Sequence, residues 1–178
     1  IHSRFLSGLR TTAGSLFARI GQTGSITSQN STALSSGGNL ELDNAGTISG
    51  VAAVRVGGDF SSINNSGAIV ATSPTAVAIQ LGGAPIVPGQ NTITNSGTIS
   101  TRGPFAVLLD AGAARLFLTN SGSIFGGVHT ANPANTSDIV INTGLISGAV
   151  ELGGGDDTYI VDDRGDLIRG LHTPEGVL

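Results

Sequence analysis

A six-residue segment, Asn95-Ser96-Gly97-Thr98-Ile99-Ser100, returns in altered form along most of the chain, and repetition at this distance restricts the fold to a stacked architecture. Asn44–Ser49, Asn65–Val70, Asn120–Phe125 and Asn142–Ser147 are close relatives, Gln22–Thr27 is a weaker one, and Asp163–Leu167 is a seventh candidate. The third-position glycines Gly24, Gly46, Gly67, Gly97, Gly122, Gly144 and Gly165 stand 22, 21, 30, 25, 22 and 21 residues apart.

Each unit carries further short runs in which apolar residues alternate with polar ones. Leu40-Glu41-Leu42-Asp43, Thr92-Ile93-Thr94 and Ile139-Val140-Ile141 precede the sextet; Ala53-Val54-Arg55-Val56 and Ala149-Val150-Glu151-Leu152 follow it. A period of two with Val and Ile argues for strands. A unit of about 22 residues therefore reads as three short strands and three turns, and coiling the chain pairs each strand with its equivalent in the next unit. The predicted fold is all-β: a right-handed parallel β-helix of about six to seven irregular rungs. Ile26, Ile48, Ile69, Ile99, Ile124 and Ile146 point inward and stack on one another. At the turns, Asn44, Asn65, Asn95, Asn120 and Asn142 form an amide ladder, and Asn tolerates the left-handed backbone region. Gly46, Gly67, Gly97, Gly122 and Gly144 are expected to supply positive φ there.

Composition excludes several classes. With no cysteine there is no disulfide framework and no thiolate metal site. The eight basic residues, all Arg, are scattered, and the net charge is −4, so nucleic acid is a poor partner. No stretch of 18 apolar residues offers a membrane-spanning segment. Two regions depart from the repeat. Residues 82–90, rich in Pro and Gly, read as a loop leaving one corner. Residues 1–20 carry Phe5, Leu6, Leu9, Leu16, Phe17 and Ile20 at near-helical spacing broken by Gly8 and Gly14, and read as an N-terminal cap or degenerate first rung before a repeat domain over 21–178.

The most polar stretch, Gly153-Gly154-Gly155-Asp156-Asp157-Thr158 with Asp162 and Asp163, is similar to a single, shortened copy of the glycine- and aspartate-rich nonapeptide that binds Ca²⁺ in toxin repeats. A calcium site needs six to eight oxygens from adjacent turns, so the expectation is a glycine turn without metal, with Asp156, Asp157, Asp162 and Asp163 as the Ca²⁺ candidates if that expectation fails. Arg164-Gly165-Asp166 has the form of an integrin ligand, but the repeat itself already requires its glycine.

Taken with the sextets, the segment Val150–Tyr159 followed by Asp163–Gly170 resembles the passenger region of bacterial type V secreted proteins, the autotransporters, over about residues 21–178. The resemblance implies a fragment of a longer exported chain at the bacterial outer-membrane surface; a start at Ile1 without methionine fits an excised piece. It implies adhesion or self-association into fibres, with other rungs of the parent chain, other copies end to end, or cell-surface glycans or proteins as partners. No cofactor is expected.

An enzyme reading lacks a constellation. His2, His129 and His172 are far apart, and no serine lies in Gly-x-Ser-x-Gly. The alternative for this fold is binding or cleavage of polysaccharide, for which Asp110, Asp138 and Glu151 could stack on one face. Ice binding needs unbroken outward Thr rows, which Ala68, Val70, Phe125 and Leu145 interrupt. The chain is therefore expected to be a non-catalytic structural or adhesive module.

Overall fold

The computed structural model describes residues 8–83, 89–131 and 136–161. The first turn of chain holds β1 (Leu9–Thr11), β2 (Leu16–Ile20) and β3 (Ser25–Thr27). The next two repeat this order as β4 (Leu34–Ser36), β5 (Leu40–Asn44), β6 (Thr47–Gly50), then β7 (Val54–Val56), β8 (Ser62–Asn65), β9 (Ala68–Ala71). The remainder is β10 (Ile79–Leu81), β11 (Gln90–Asn95), β12 (Thr98–Leu109), β13 (Arg115–Asn120), β14 (Ser123–Thr130), β15 (Ile139–Asn142), β16 (Leu145–Ile146), β17 (Val150–Glu151) and β18 (Thr158–Val161).

All pairings are parallel, and the strands lie on their equivalents one turn away, which makes the chain a parallel β-solenoid. The strands preceding the sextets, β2, β5, β8, β11, β13, β15 and β18, stack into a seven-stranded sheet. The sextet strands and those following them share a second, 11-stranded sheet, because β12 and β14 each run through both positions. A turn therefore has the three strands predicted from the alternation, but they form two sheets. Residues 9–20 belong to this stack: β1 pairs with β4 and β2 with β5, and no helix forms. The near-helical spacing there arises because inward Leu16, Ala18 and Ile20 alternate with outward Phe17 and Arg19. Residues 1–7 lie outside the described residues.

The interior is built from columns of like residues. Ile26, Ile48, Ile69, Ile99, Ile124 and Ile146 pair successively and are buried. A second column on the same sheet runs Leu34, Val54, Ile79, Val107, Val128, Val150, and a third, on the seven-stranded sheet, runs Ala18, Leu42, Ile63, Ile93, Leu118, Val140. Burial of each of the larger aliphatic side chains is worth about 1.5–3 kcal/mol. Of the 82–90 insertion, residues 82–83 and 89–90 are described. Between its two ends the buried Asp59 reaches over to accept the Ala114 N–H at 3.1 Å, in space that a Cβ on Gly83 or Gly89 would occupy.

Candidate functional site

Asn44, Asn65, Asn95, Asn120 and Asn142 end successive strands of the seven-stranded sheet and are buried. Each Nδ2 donates to the Oδ1 of the next: Asn44 to Asn65 at 2.7 Å, Asn65 to Asn95 at 2.7 Å, Asn95 to Asn120 at 2.7 Å and Asn120 to Asn142 at 2.6 Å. The same Nδ2 groups also approach the carbonyls of their own turn, as in Asn65 to Gly67 O at 3.3 Å. Gln22 does not join the ladder; the register pairs Ile20 with Asn44, and Gln22 is exposed. The first sextet carries two extra residues between its ladder position and Ile26.

The backbone reason anticipated for these residues is wrong. No non-glycine residue among those described has positive φ, and the positive-φ glycines are Gly8, Gly14, Gly112, Gly126, Gly153 and Gly155. The sextet glycines are required by space instead. A Cβ on Gly67 would stand 2.1 Å from Gly46 O, one on Gly97 2.2 Å from Gly67 O, one on Gly122 2.2 Å from Gly97 O and one on Gly144 2.2 Å from Gly122 O. The turns are stacked so closely that only hydrogen fits between them.

The opposite edge of the same sheet holds a second polar column that the sequence did not reveal. Leu40, Ser61, Asn91, Leu116, Asp138 and Asp157 occupy equivalent positions. Ser61 Oγ accepts the Leu40 N–H at 3.0 Å, Asn91 Oδ1 the Ser61 N–H at 3.1 Å, Asp138 Oδ1 the Leu116 N–H at 2.7 Å and Asp157 Oδ1 the Asp138 N–H at 2.8 Å. Each side chain thus caps a backbone donor of the turn before it.

This assigns Asp157 a structural task. Burial pushes its carboxyl above the ordinary value of 3.8, the Asp138 N–H bond pulls it down, and the neighbouring Asp156 charge raises it further. Asp156 is exposed at the turn, Gly155 has φ +125°, and a Cβ there would meet Thr136 O at 1.9 Å. Asp162, Asp163 and the Arg164–Asp166 tripeptide lie outside the described residues. Among the described residues no three His, Asp or Glu side chains converge as metal ligands.

Asp110, Asp138 and Glu151 do not stack on one face. Asp110 follows β12 and accepts twice from Gln80 Nε2, at 3.0 and 2.8 Å. Asp138 is fully buried at the corner just described. Glu151 sits on the outer row of the 11-stranded sheet, where it meets His129 Nδ1 at 2.8 Å, and the imidazole stacks on Phe105 with ring centroids 4.9 Å apart.

Two adjoining clefts open on the outer face of the seven-stranded sheet, near the N-terminal end of the stack. One, of about 460 Å³, is lined by Phe17, Glu41, Phe60 and Ser62 with Ser15 and Asn39. Phe17 is 62% exposed and Phe60 55%. The other, of about 450 Å³, runs from Arg19, Asp43, Asn64 and Thr94 on that face onto the adjoining turns at Gln22, Ala45 and Ser66. Phe17, Glu41 and Ser62 form one outward row and Arg19, Asp43, Asn64 and Thr94 the next, two residues along the strands. Asn64 Nδ2 donates to Asp43 Oδ1 at 3.1 Å, and Arg19 makes no ion pair among the described residues. Sequence reading missed this group, although outward aromatics in a chain only 4% aromatic were a usable signal. Among known proteins, no family model, no curated protein and no solved structure matches this chain.

Proposed function

We propose that this chain is a surface-exposed structural and adhesive β-solenoid module of the autotransporter passenger type, displayed outside the bacterial outer membrane. The observation that supports it most directly is the amide ladder, unbroken from Asn44 to Asn142. A stack held in fixed register by buried amides is a stiff rod, suited to holding a surface patch away from whatever carries it. Its outer face offers open clefts with mixed apolar and polar linings, the form of a recognition surface.

Self-association end to end is the second reading. Among the described residues, β1, β2 and β3 each pair on one side only, and a strand edge of this kind can accept a further strand. Such a contact is heterologous and propagates as a filament. Beads coated with the purified chain are expected to bind bacterial or epithelial cells, and sedimentation with negative-stain electron microscopy reports threads or monomers. A chain that stays monomeric at high concentration, on beads that bind neither cell type, would refute both readings.

A further inference from the structure

We propose that the paired clefts on the outer face of the seven-stranded sheet bind a neutral oligosaccharide, with one pyranose held between Phe17 and Phe60 against Glu41 and the adjoining sugar lying over Arg19, Asp43 and Asn64. The inference rests on the adhesive reading above and gives it a ligand class.

An exposed phenylalanine standing alone requires no explanation. Here the two most exposed large apolar side chains of the described residues line the same cleft. Phe17 lies on the first turn of the stack, Glu41 on the second, and Ser62 and Phe60 on the third. The phenylalanines are thus offset by two strand spacings, about 10 Å along the axis, and Phe60, two residues before Ser62, is displaced by about 6.6 Å along the strand as well. Glu41 lies on the turn between theirs, in the row of Phe17, and Ser15 and Ser62 contribute hydroxyls that both donate and accept. A pyranose presents the matching chemistry: a face of C–H groups that packs on an aromatic ring, and an edge of hydroxyls that donate to a carboxylate and accept from hydroxyls and amides.

The second cleft separates this ligand from a small cation. A quaternary ammonium or a lysine side chain would be satisfied by two rings and one carboxylate, but it would leave the adjoining 450 Å³ unused. That space is lined by groups suited to polyols: the Arg19 guanidinium, the Gln22 amide, and the Asp43–Asn64 pair, whose mutual bond leaves Asp43 Oδ2 and Asn64 Oδ1 as further acceptors. The rows are two residues apart, about 6.6 Å along the strand, so a linear saccharide lying along the strand direction crosses both.

Isothermal titration with lactose, cellobiose, chitobiose and maltose, and with tetramethylammonium as the cationic probe, tests the assignment on the intact chain. At least one disaccharide is expected to bind. Phe17→Ala with Phe60→Ala should weaken that binding at least about tenfold, Glu41→Gln should weaken it less, and neither should lower the melting temperature, since all three side chains are exposed. Binding of tetramethylammonium alone, no binding of any disaccharide, or undiminished binding by a folded double-Ala variant overturns the proposal. The two readings fail separately: coated beads that adhere equally well with the double-Ala variant sink the site and spare adhesion, whereas sugar-dependent titration without bead adhesion spares the site and sinks adhesion.

Discussion

The two edges of the seven-stranded sheet solve one problem in different ways. At the sextet edge every turn from Asn44 to Asn142 uses the same residue, because each amide must both accept from the turn before and donate to the turn after. At the other edge Ser61, Asn91, Asp138 and Asp157 each accept a backbone N–H, which any side-chain oxygen can do, and Leu116 interrupts the column without breaking the sheet. A two-way bond fixes residue identity; a one-way bond fixes only an oxygen. The outcome is one ladder that repeats in the sequence and one that does not.

The largest effect is expected where the sextet edge leaves no space. Gly97→Ala would set a Cβ 2.2 Å from Gly67 O, and only backbone movement in a stacked turn could relieve the contact. The expected loss is about 4 kcal/mol or more in chemical denaturation. Gly21→Ala is the control: its Cβ would meet nothing within 4 Å, and stability should change by no more than about 0.5 kcal/mol. Equal losses would mean that crowding is not what selects glycine in the sextet.

That distinction marks how far the sequence could be read. The repeat period and the alternation of inward and outward residues were legible because each inward position is filled by an aliphatic in nearly every turn, Ile26 to Ile146 above all. The third-position glycines were legible as positions but not as causes, since crowding by Gly46 O or Gly67 O exists only once the turns are stacked. Residues 9–20 were obscured because outward Phe17 filled in a near-helical spacing. The Ser61–Asp157 column could not be found by pattern, because it mixes Ser, Asn, Leu and Asp and its accepting members share only a side-chain oxygen. The clefts of the outer face were missed for a similar reason: Phe17, Glu41 and Phe60 come together from three successive turns.

A smaller but more diagnostic effect comes from swapping amide and acid between the two edges. Asn95→Asp keeps an acceptor for Asn65 but removes the donor to Asn120 Oδ1 and sets carboxylate oxygens against it; a loss of about 3 kcal/mol at neutral pH is expected. Asp138→Asn retains an oxygen for the Leu116 N–H and should cost no more than about 1 kcal/mol. Ser61→Ala, which leaves the Leu40 N–H without its acceptor, falls between them at about 1.5 kcal/mol. If Asp138→Asn proved as damaging as Asn95→Asp, the second edge would be as selective as the first, and the contrast between two-way and one-way bonding would fail.

The smallest effect is one of pH, at the last described position of the second edge. Asp157 holds its proton more tightly in the folded chain than its ordinary value of 3.8 allows, chiefly because it is partly buried and secondarily because Asp156 lies beside it. Below 3.8 both folded and unfolded chains carry the proton, and its contribution to stability is fully present. As pH rises past 3.8 the unfolded chain releases the proton first, so the folded state binds more protons and stability falls until the folded carboxyl has ionised as well. Asp157→Asn keeps an oxygen for the Asp138 N–H and removes the titration. The difference in melting temperature, variant minus wild type, should therefore grow as pH is raised past 3.8 and level off once the folded carboxyl has ionised, and added salt should reduce the part due to Asp156. A difference that shrinks with rising pH would mean that the bond from the Asp138 N–H outweighs burial, so that the ionised form is what caps this edge.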